Sequence, residues 1–516
     1  MKVAIVGAGN SGILSLKTAL DEGLDAVCYE MTDRVAGLWS PHKPEYGIST
    51  AYEGLITNSS KETMAFSEHP LPANYPSYLT RDMVYQYVLS YCKLFRLDDK
   101  IKLRHKVHSV TQTDDHENTG CWNVTVEDLE RKIEPRTLRY DAVIICTGIH
   151  GFPYTPNLPG IDIFKGRIIH SHAYMGADDI GVDEKVLVLG NASSGLDMAA
   201  SVAGSRASKQ NKKAALKAKE CASDGSATCK NPVYLSARSG MIIVQRDYAN
   251  PGDLLLTLLF TVIFWILPKS LSSKLELAIF KKIAGDRNYQ KYNFPEIKEG
   301  ASGAICDDIW PCVVNGTVVS VPGIASFKEK SVVLSNGQQI DVDVVLMGTG
   351  YEVKVPVVRK ELVDPDYWNL YKLVWPIHLK KNTLALVGFV RIKGASAPLV
   401  ELQARWVAGV FSGRLKLPKS DELAAKTQVL VKDEMRLPRK LEVNHTVYCG
   451  QLAHLLGCHP IGLLFKNPYK CFKSIVGPAL PYIYRLVGPG KSPDAWKHYS
   501  TARSRYHPFK DIVGHL

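Results

Sequence analysis

Two glycine turns hold the residues best suited to chemistry in this chain. Gly7-Ala-Gly9-Asn-Ser-Gly12 follows the apolar run KVAIV and opens ILSLKTALDEG; Glu30 closes the next apolar run, 18 residues after the last glycine. The first glycine allows a tight turn, the second a close approach of backbone to a pyrophosphate, the third close packing of helix on strand. An acid about 20 residues further on suits a ribose hydroxyl. A second turn, Gly190-Asn-Ala-Ser193-Ser194-Gly195, lies in KVLVLGNASSGLDMAASVA, and the following strand VYLSAR ends at Arg238. An arginine where the first unit has Glu30 favours a 2′-phosphate, hence NADPH, with FAD on the first turn. A solvated strand-end charge is the plain alternative for Arg238. Two such cofactors in one protein can pass hydride from nicotinamide to flavin. The 11 cysteines contain no C-x-x-C pair, which argues against a disulfide reductase and leaves oxygen as the acceptor.

The elements that must position these residues are strands and helices of an α/β fold. Each turn joins a buried-strand run to a helix, and two further strands, DAVIICTG (141–148) and VDVVLMGTG (342–350), end alike in Thr-Gly. They bracket the second turn, so the first domain reads as interrupted and resumed. The expected architecture is two nested Rossmann-like dinucleotide-binding domains with a helical, partly hydrophobic insertion. Its parts are an FAD-binding first part at 1–160, an NADPH-binding domain at 161–324 with a membrane-facing or substrate insertion at 206–300, an FAD-binding second part at 325–445, and a basic C-terminal region at 446–516. LLLTLLFTVIFWIL (254–267) falls short of the roughly 20 residues a spanning helix needs. It is read equally as a buried helix or one lying in a membrane interface.

With 46% hydrophobic and 22% charged residues the chain reads as globular, and its length suffices for two or three cores. The net charge of +12 comes from two segments, 206–230 at +5 and 466–516 at +7. Such patches suit an anionic membrane surface; no nucleic-acid module is visible, so no nucleic acid is expected as partner. No Cys/His spacing fits a metal.

Phe164, Gly166, His170 and Tyr174 in FKGRIIHSHAY fit the pattern F-x-G-x-x-x-H-x-x-x-[FY]. With AGLWS (36–40), LITNSSKETMAFSEHPLP (55–72), MGTGY (347–351), ELQARW (401–406) and GPALPYIYRLVGPGK (477–491), it resembles the animal-type flavin-containing monooxygenases, the dimethylaniline N-oxide-forming family. The resemblance implies an NADPH- and O2-dependent FAD enzyme that forms a C4a-hydroperoxyflavin and oxygenates nitrogen or sulfur nucleophiles, small amines or sulfides. It implies a catalytic role for Asn58, which helps to hold flavin, oxygen and NADP⁺; a turn-forming asparagine is the plain reading. The implied cofactor-binding set is Gly7, Gly9, Gly12, Glu30, Leu38, Trp39, Asn58, Gly190, Ser193, Ser194, Gly195, Arg238, Thr349 and Gly350. His170 is assigned to architecture. The family implies the cytosolic face of the endoplasmic reticulum membrane; because HPFKDIVGHL is no hydrophobic anchor, a cytoplasmic location is the alternative.

The chain departs from the family pattern at three points. Ala192 replaces the middle glycine of the second turn, Ala36 replaces the first glycine of Gly-Gly-x-Trp, and Arg391-Ile392 stand where relatives tend to have Gln-Pro. A weaker NADPH site and a pocket altered by a cation are expected. Rival readings are an uncoupled NADPH oxidase releasing H2O2, a Baeyer–Villiger-type monooxygenase, or a non-catalytic nucleotide-binding, membrane-associated protein.

Overall fold

A computed structural model describes residues 1–41, 47–48, 51–217, 232–246, 287–298, 303–363, 369–392, 394–419 and 441–504, with isolated positions at 271–284 and 422–427. The apolar run 254–267 and most of the insertion expected at 206–300 lie outside them.

Along the chain run β1 (Lys2–Val6), α1 (Asn10–Asp21), β2 (Asp25–Tyr29), β3 (Ile101–Lys102), β4 (Ala142–Ile145), β5 (Arg167–His170), β6 (Val186–Leu189), α2 (Ser193–Lys217) and β7 (Val233–Ser236). They are followed by β8 (Ile242–Val244), β9 (Gly303–Ile305), β10 (Val318–Val321), β11 (Val344–Met347), β12 (Leu384–Leu386), α3 (Ala397–Phe411), α4 (His445–Leu456) and α5 (Pro468–Val476). Two five-stranded parallel sheets result, ordered β12-β4-β1-β2-β3 and β10-β7-β6-β11-β5. β4, β6 and β11 are buried at every position. That is why these strands are continuous apolar runs without alternation: both sheet faces are covered.

The two units repeat one plan. A central strand (β1 or β6) runs into a glycine turn and a helix, and a three-stranded antiparallel meander (His105–Tyr140 or Ile324–Asp341) precedes the neighbouring strand, β4 or β11. Each neighbour exits directly against the glycine turn. A Cβ on Gly7 would lie 2.8 Å from the Cys146 carbonyl oxygen, and one on Gly190 would lie 2.6 Å from that of Gly348. The matching Thr-Gly ends thus sit where two strands crowd one turn.

The chain passes between the units through paired short strands: Phe152–Pro153 runs antiparallel to Tyr351–Glu352. The second sheet takes in β10 and β11, so the return to the first unit follows Met347 and not residue 324. The meander at 324–341 packs Phe327, Val332 and Leu334 onto the second sheet's Leu187 and Val345, which holds it in the second unit. The C-terminal region is no separate body: α4 and the segment to Ala502 share the first unit's core through Tyr448, Leu452, Tyr484 and Tyr499. Inside that core Glu401 of α3 is buried, with an Arg485 Nη2 atom 2.8 Å away and the Ser67 amide donating at 2.9 Å. Burial alone would raise the Glu401 carboxyl; Arg485 and Arg405 hold it below the ordinary value.

No helix among the described residues is long and apolar enough to cross a membrane.

Candidate active site

The first turn is a rigid cradle. Gly7 has φ +99°, and a Cβ on Gly12 would sit 1.7 Å from the Gly7 carbonyl oxygen. At Gly9 the same atom would meet only Gly37, its Cα at 3.7 Å and its nitrogen at 3.9 Å, both ordinary contacts. Gly7 and Gly12 are therefore required by the turn itself, while the missing side chain at Gly9 leaves open space at the start of α1. That helix N-terminus directs free N–H groups at whatever occupies the space, a setting for an anion. Glu30 reaches back to the same turn: Oε2 accepts from the Ala8 amide at 2.8 Å, and Oε1 from the Thr32 amide at 3.0 Å and hydroxyl at 2.9 Å. Burial raises its pKa against the pull of those donors.

The second turn repeats this geometry with one difference. A Cβ on Gly195 would lie 1.8 Å from the Gly190 carbonyl oxygen. Ala192, partly buried against the second core, carries a methyl at the position corresponding to Gly9. Asn191 donates to the Ser239 carbonyl at 2.7 Å, tying the turn to the loop that carries the exposed Arg238.

Between the units lies a cavity of about 430 Å³. Of the residues expected at the site, Leu38, Trp39, Asn58, Ser193 and Ser194 line it. Gly7, Gly9, Gly12, Glu30, Gly190, Gly195 and Arg238 are not among its lining residues, but the two turns lead directly into Asn10 and Ser193, which are. Thr349 and Gly350 stand outside the wall. The Thr349 hydroxyl donates to the Tyr154 carbonyl at 2.5 Å and the Gly350 carbonyl accepts from the Tyr154 amide at 2.9 Å, so both hold the crossing strands together. Leu38 and Trp39 sit on a short 3-10 turn whose cap, Ala36, has φ +81°. That left-handed value is why glycine suits the position and alanine is strained there.

In the rest of the wall the rings of Tyr52, His150, Tyr174 and Tyr351 stand among apolar side chains and the hydroxyls of Thr57, Ser59, Ser171 and Ser396. Tyr52 and Tyr174 meet edge to face with ring centroids 5.3 Å apart, and the Tyr351 ring is 5.0 Å from that of His150. Desolvation of its ring, aided by the Arg391 charge, lowers the His150 pKa, although part of the residue stays exposed. Arg391 does not line the cavity; its Nη2 donates to the Tyr351 carbonyl at 3.0 Å. The one carboxylate among the described wall residues, Asp197 on α2, is pushed up to about 6 by burial, against the nearby Arg246.

FKGRIIHSHAY spans this region. Phe164 packs on Phe327 in the second unit, and a Cβ on Gly166 would lie 2.4 Å from the Asp343 carbonyl oxygen. His170 ends β5, its ring 5.3 Å from Tyr351, while Tyr174 closes the cavity.

Arg246 was not singled out from sequence. It is 7% exposed and donates to the Thr57 carbonyl from Nε at 3.0 Å, and from Nη2 to the Ile56 carbonyl at 3.2 Å and Asn58 Oδ1 at 2.9 Å. Its only signal was an arginine following an apolar strand, common at strand ends.

Several features fit FAD and NADPH. Both turns leave backbone N–H groups and space for phosphates. Buried Asn10 Oδ1 and Ser171 Oγ, both in the cavity wall, have no hydrogen-bond partner among the described residues, as expected of groups that meet a ligand. No cluster for a metal occurs among the described residues.

The family model described as flavin-binding monooxygenase-like matches residues 1–512. Flavin-containing monooxygenase 5 of Rattus norvegicus is 32% identical over 98% of this chain and 92% of its own length. Dimethylaniline monooxygenase [N-oxide-forming] 2 of Oryctolagus cuniculus is 31% identical with the same coverage. Among solved structures, S-allyl-L-cysteine S-oxygenase from Allium sativum aligns over 98% of both chains with TM-score 0.62 at 22% identity. The open structure of cyclohexanone monooxygenase aligns over 88% of this chain and 97% of its own, with TM-score 0.61 at 17% identity.

Proposed function

The chain belongs to the flavin-binding monooxygenase-like family, and from that premise we propose that its cavity admits soft nitrogen or sulfur nucleophiles, amines or sulfides, for oxygenation. The protein is a flavin monooxygenase that uses FAD and NADPH, with O2 as co-substrate. When bound, the two cofactors supply hydride transfer and oxygen activation, chemistry that no side chain here provides. Gly7, Gly9, Gly12 and Glu30 hold FAD; Gly190, Ser193, Ser194, Gly195 and Arg238 hold NADPH, with Arg238 on the 2′-phosphate. Trp39, Tyr52, Tyr174 and Tyr351 keep water out, and Asn58 offers hydrogen bonds inside the dry space.

The observation that carries the substrate class is the cavity wall. Among the described residues the wall is built of apolar, aromatic and hydroxyl groups, and no serine or threonine hydroxyl in it is hydrogen-bonded to His150 or Asp197, so no activated nucleophile–base pair faces a substrate. Such a wall suits a substrate that is itself the nucleophile. Sulfide and amine panels should give S-oxide or N-oxide close to one per NADPH consumed. Near-stoichiometric H2O2 with every substrate would instead establish an uncoupled oxidase.

Contact with an anionic membrane surface on the cytosolic side of the endoplasmic reticulum is also part of the proposal, carried by α5 and the residues just before it. Phe465, Tyr469 and Phe472 are 95%, 63% and 61% exposed, while the inward positions are the small Cys471 and Ser474. Lys466, Lys470 and Lys473 border this outward apolar stripe, a pattern suited to acidic headgroups. Sedimentation with phosphatidylserine-containing vesicles should be lost in Phe465→Ser/Phe472→Ser. Undiminished binding by that variant would rule α5 out.

A further inference from the structure

We propose that Arg246 is a positioning residue that fixes the amide of Asn58 with its N–H groups, and not its oxygen, available to the cavity. The inference rests on the reading of Asn58 as a site residue.

β8 and β9 pair in parallel, and Arg246 and Asp307 follow their ends. The Asp307 carboxylate takes the Arg246 backbone amide on Oδ1 at 2.6 Å and Nη1 on Oδ2 at 2.9 Å, so one carboxylate fixes both the backbone and one edge of the guanidinium. The Arg246 carbonyl accepts from the Tyr78 hydroxyl at 2.8 Å. Nε and Nη2 then face segment 56–58 and donate to two backbone carbonyls and to Asn58 Oδ1. Arginine has donors only, so the amide atom that meets it must be the oxygen. This removes the two-fold ambiguity that an asparagine side chain ordinarily has. Asn58 lines the cavity, so what it has left to offer there is its NH2 group, two donors and no acceptor. A site so arranged favours an acceptor oxygen, on a cofactor or derived from O2, over a donor group. Arg246 also spans the units, because Asp307 belongs to the second and Asn58 to the first.

The test uses the FAD-loaded full-length enzyme with Asn58→Ala, Asn58→Asp, Arg246→Met, Arg246→Lys and the double variant Asn58→Ala/Arg246→Met. Two quantities are read: H2O2 released per NADPH, and the NADP⁺ dissociation constant from flavin fluorescence. Asn58→Asp can keep its bond to Arg246 but has no N–H to offer. It should fold, retain FAD, and yet leak peroxide as Asn58→Ala does. Arg246→Met should raise the ratio of peroxide to oxygenated product on the order of tenfold, the factor of one hydrogen bond to a charged group. The double variant should be no worse than Asn58→Ala alone, because Arg246 acts through Asn58. Should Arg246→Met fail to fold, Arg246→Lys, which keeps the charge without the fork, carries the same expectation in weaker form.

Additive effects in the double variant would overturn the inference, as would wild-type coupling and NADP⁺ affinity in Asn58→Asp or in both folded Arg246 variants. If Asn58→Ala itself behaves as wild type, the site reading falls with it. If Asn58→Ala leaks while the Arg246 variants do not, the positioning role alone falls.

Discussion

Replacing Gly9 by alanine separates the fold of the first turn from its work. A Cβ there makes only ordinary contacts with Gly37, at 3.7 and 3.9 Å, so the protein should fold with an unchanged circular dichroism spectrum and an unchanged second unit. The same methyl occupies the space assigned to the FAD pyrophosphate. Losing one backbone hydrogen bond to a charged group costs about 1.5–3 kcal/mol, and every 1.4 kcal/mol is tenfold in affinity, so FAD binding should weaken roughly 10- to 100-fold. Gly12→Ala is the contrasting control. Its Cβ would lie 1.7 Å from the Gly7 oxygen, and the turn would have to open by about 1.3 Å to reach the closest tolerable contact. That change should lower the thermal midpoint as well as flavin content. The assay is FAD titration of the apo-protein alongside the flavin-to-protein absorbance ratio after gel filtration. A Gly9→Ala protein that keeps wild-type FAD affinity would refute the assignment of this turn to a pyrophosphate.

Ala192→Gly removes the corresponding methyl from the second turn and should lower the NADPH concentration for half-maximal turnover several-fold; no change would mean that Ala192 does not face the cofactor. Arg238→Ala should raise the NADPH requirement far more than the NADH requirement, and equal effects would remove the 2′-phosphate role. Asp197 has a native pKa of about 6 against an unfolded value near 3.9, so the native state binds more protons between those limits and gains stability as pH falls. Relative to Asp197→Asn, wild type should therefore gain on the order of 2 kcal/mol from pH 7 to pH 4, read as converging or crossing thermal midpoints, and parallel profiles would refute the shift.

The turns were readable because their causes are local. Gly12 and Gly195 are demanded by the carbonyl five residues earlier, Gly7 and Gly190 by their own positive φ in the tight turn, and Glu30 closes the strand paired with β1. Arg246 was not readable, because its value comes from Ile56, Thr57 and Asn58, nearly 190 positions earlier in sequence. The same holds for Glu401, which meets Ser67 and Arg485 from opposite directions along the chain. A partner that far away leaves no spacing to detect. The unit boundary was set too early for a related reason: the meander at 324–341 has the local pattern of any antiparallel hairpin, and only its packing on Leu187 and Val345 reveals its owner. Arg391 looked like a cation in the pocket because it stands where relatives tend to have a Gln-Pro pair, yet its side chain turns away to the Tyr351 carbonyl.

The interleaved order of the two sheets also sets a timetable for synthesis. Every strand of the second sheet lies between Arg167 and Met347 in one uninterrupted stretch, so that sheet is complete while the first still lacks its edge strand, Leu384–Leu386. The N-terminal strands emerge first and close last. Until β12 arrives to pair with β4, the apolar edge Ala142–Ile145 is exposed to other nascent chains, and α3, which covers α1, has not been made. The second sheet can therefore close before the first, and the later-made unit can stand as a finished scaffold against which the earlier-made one is completed.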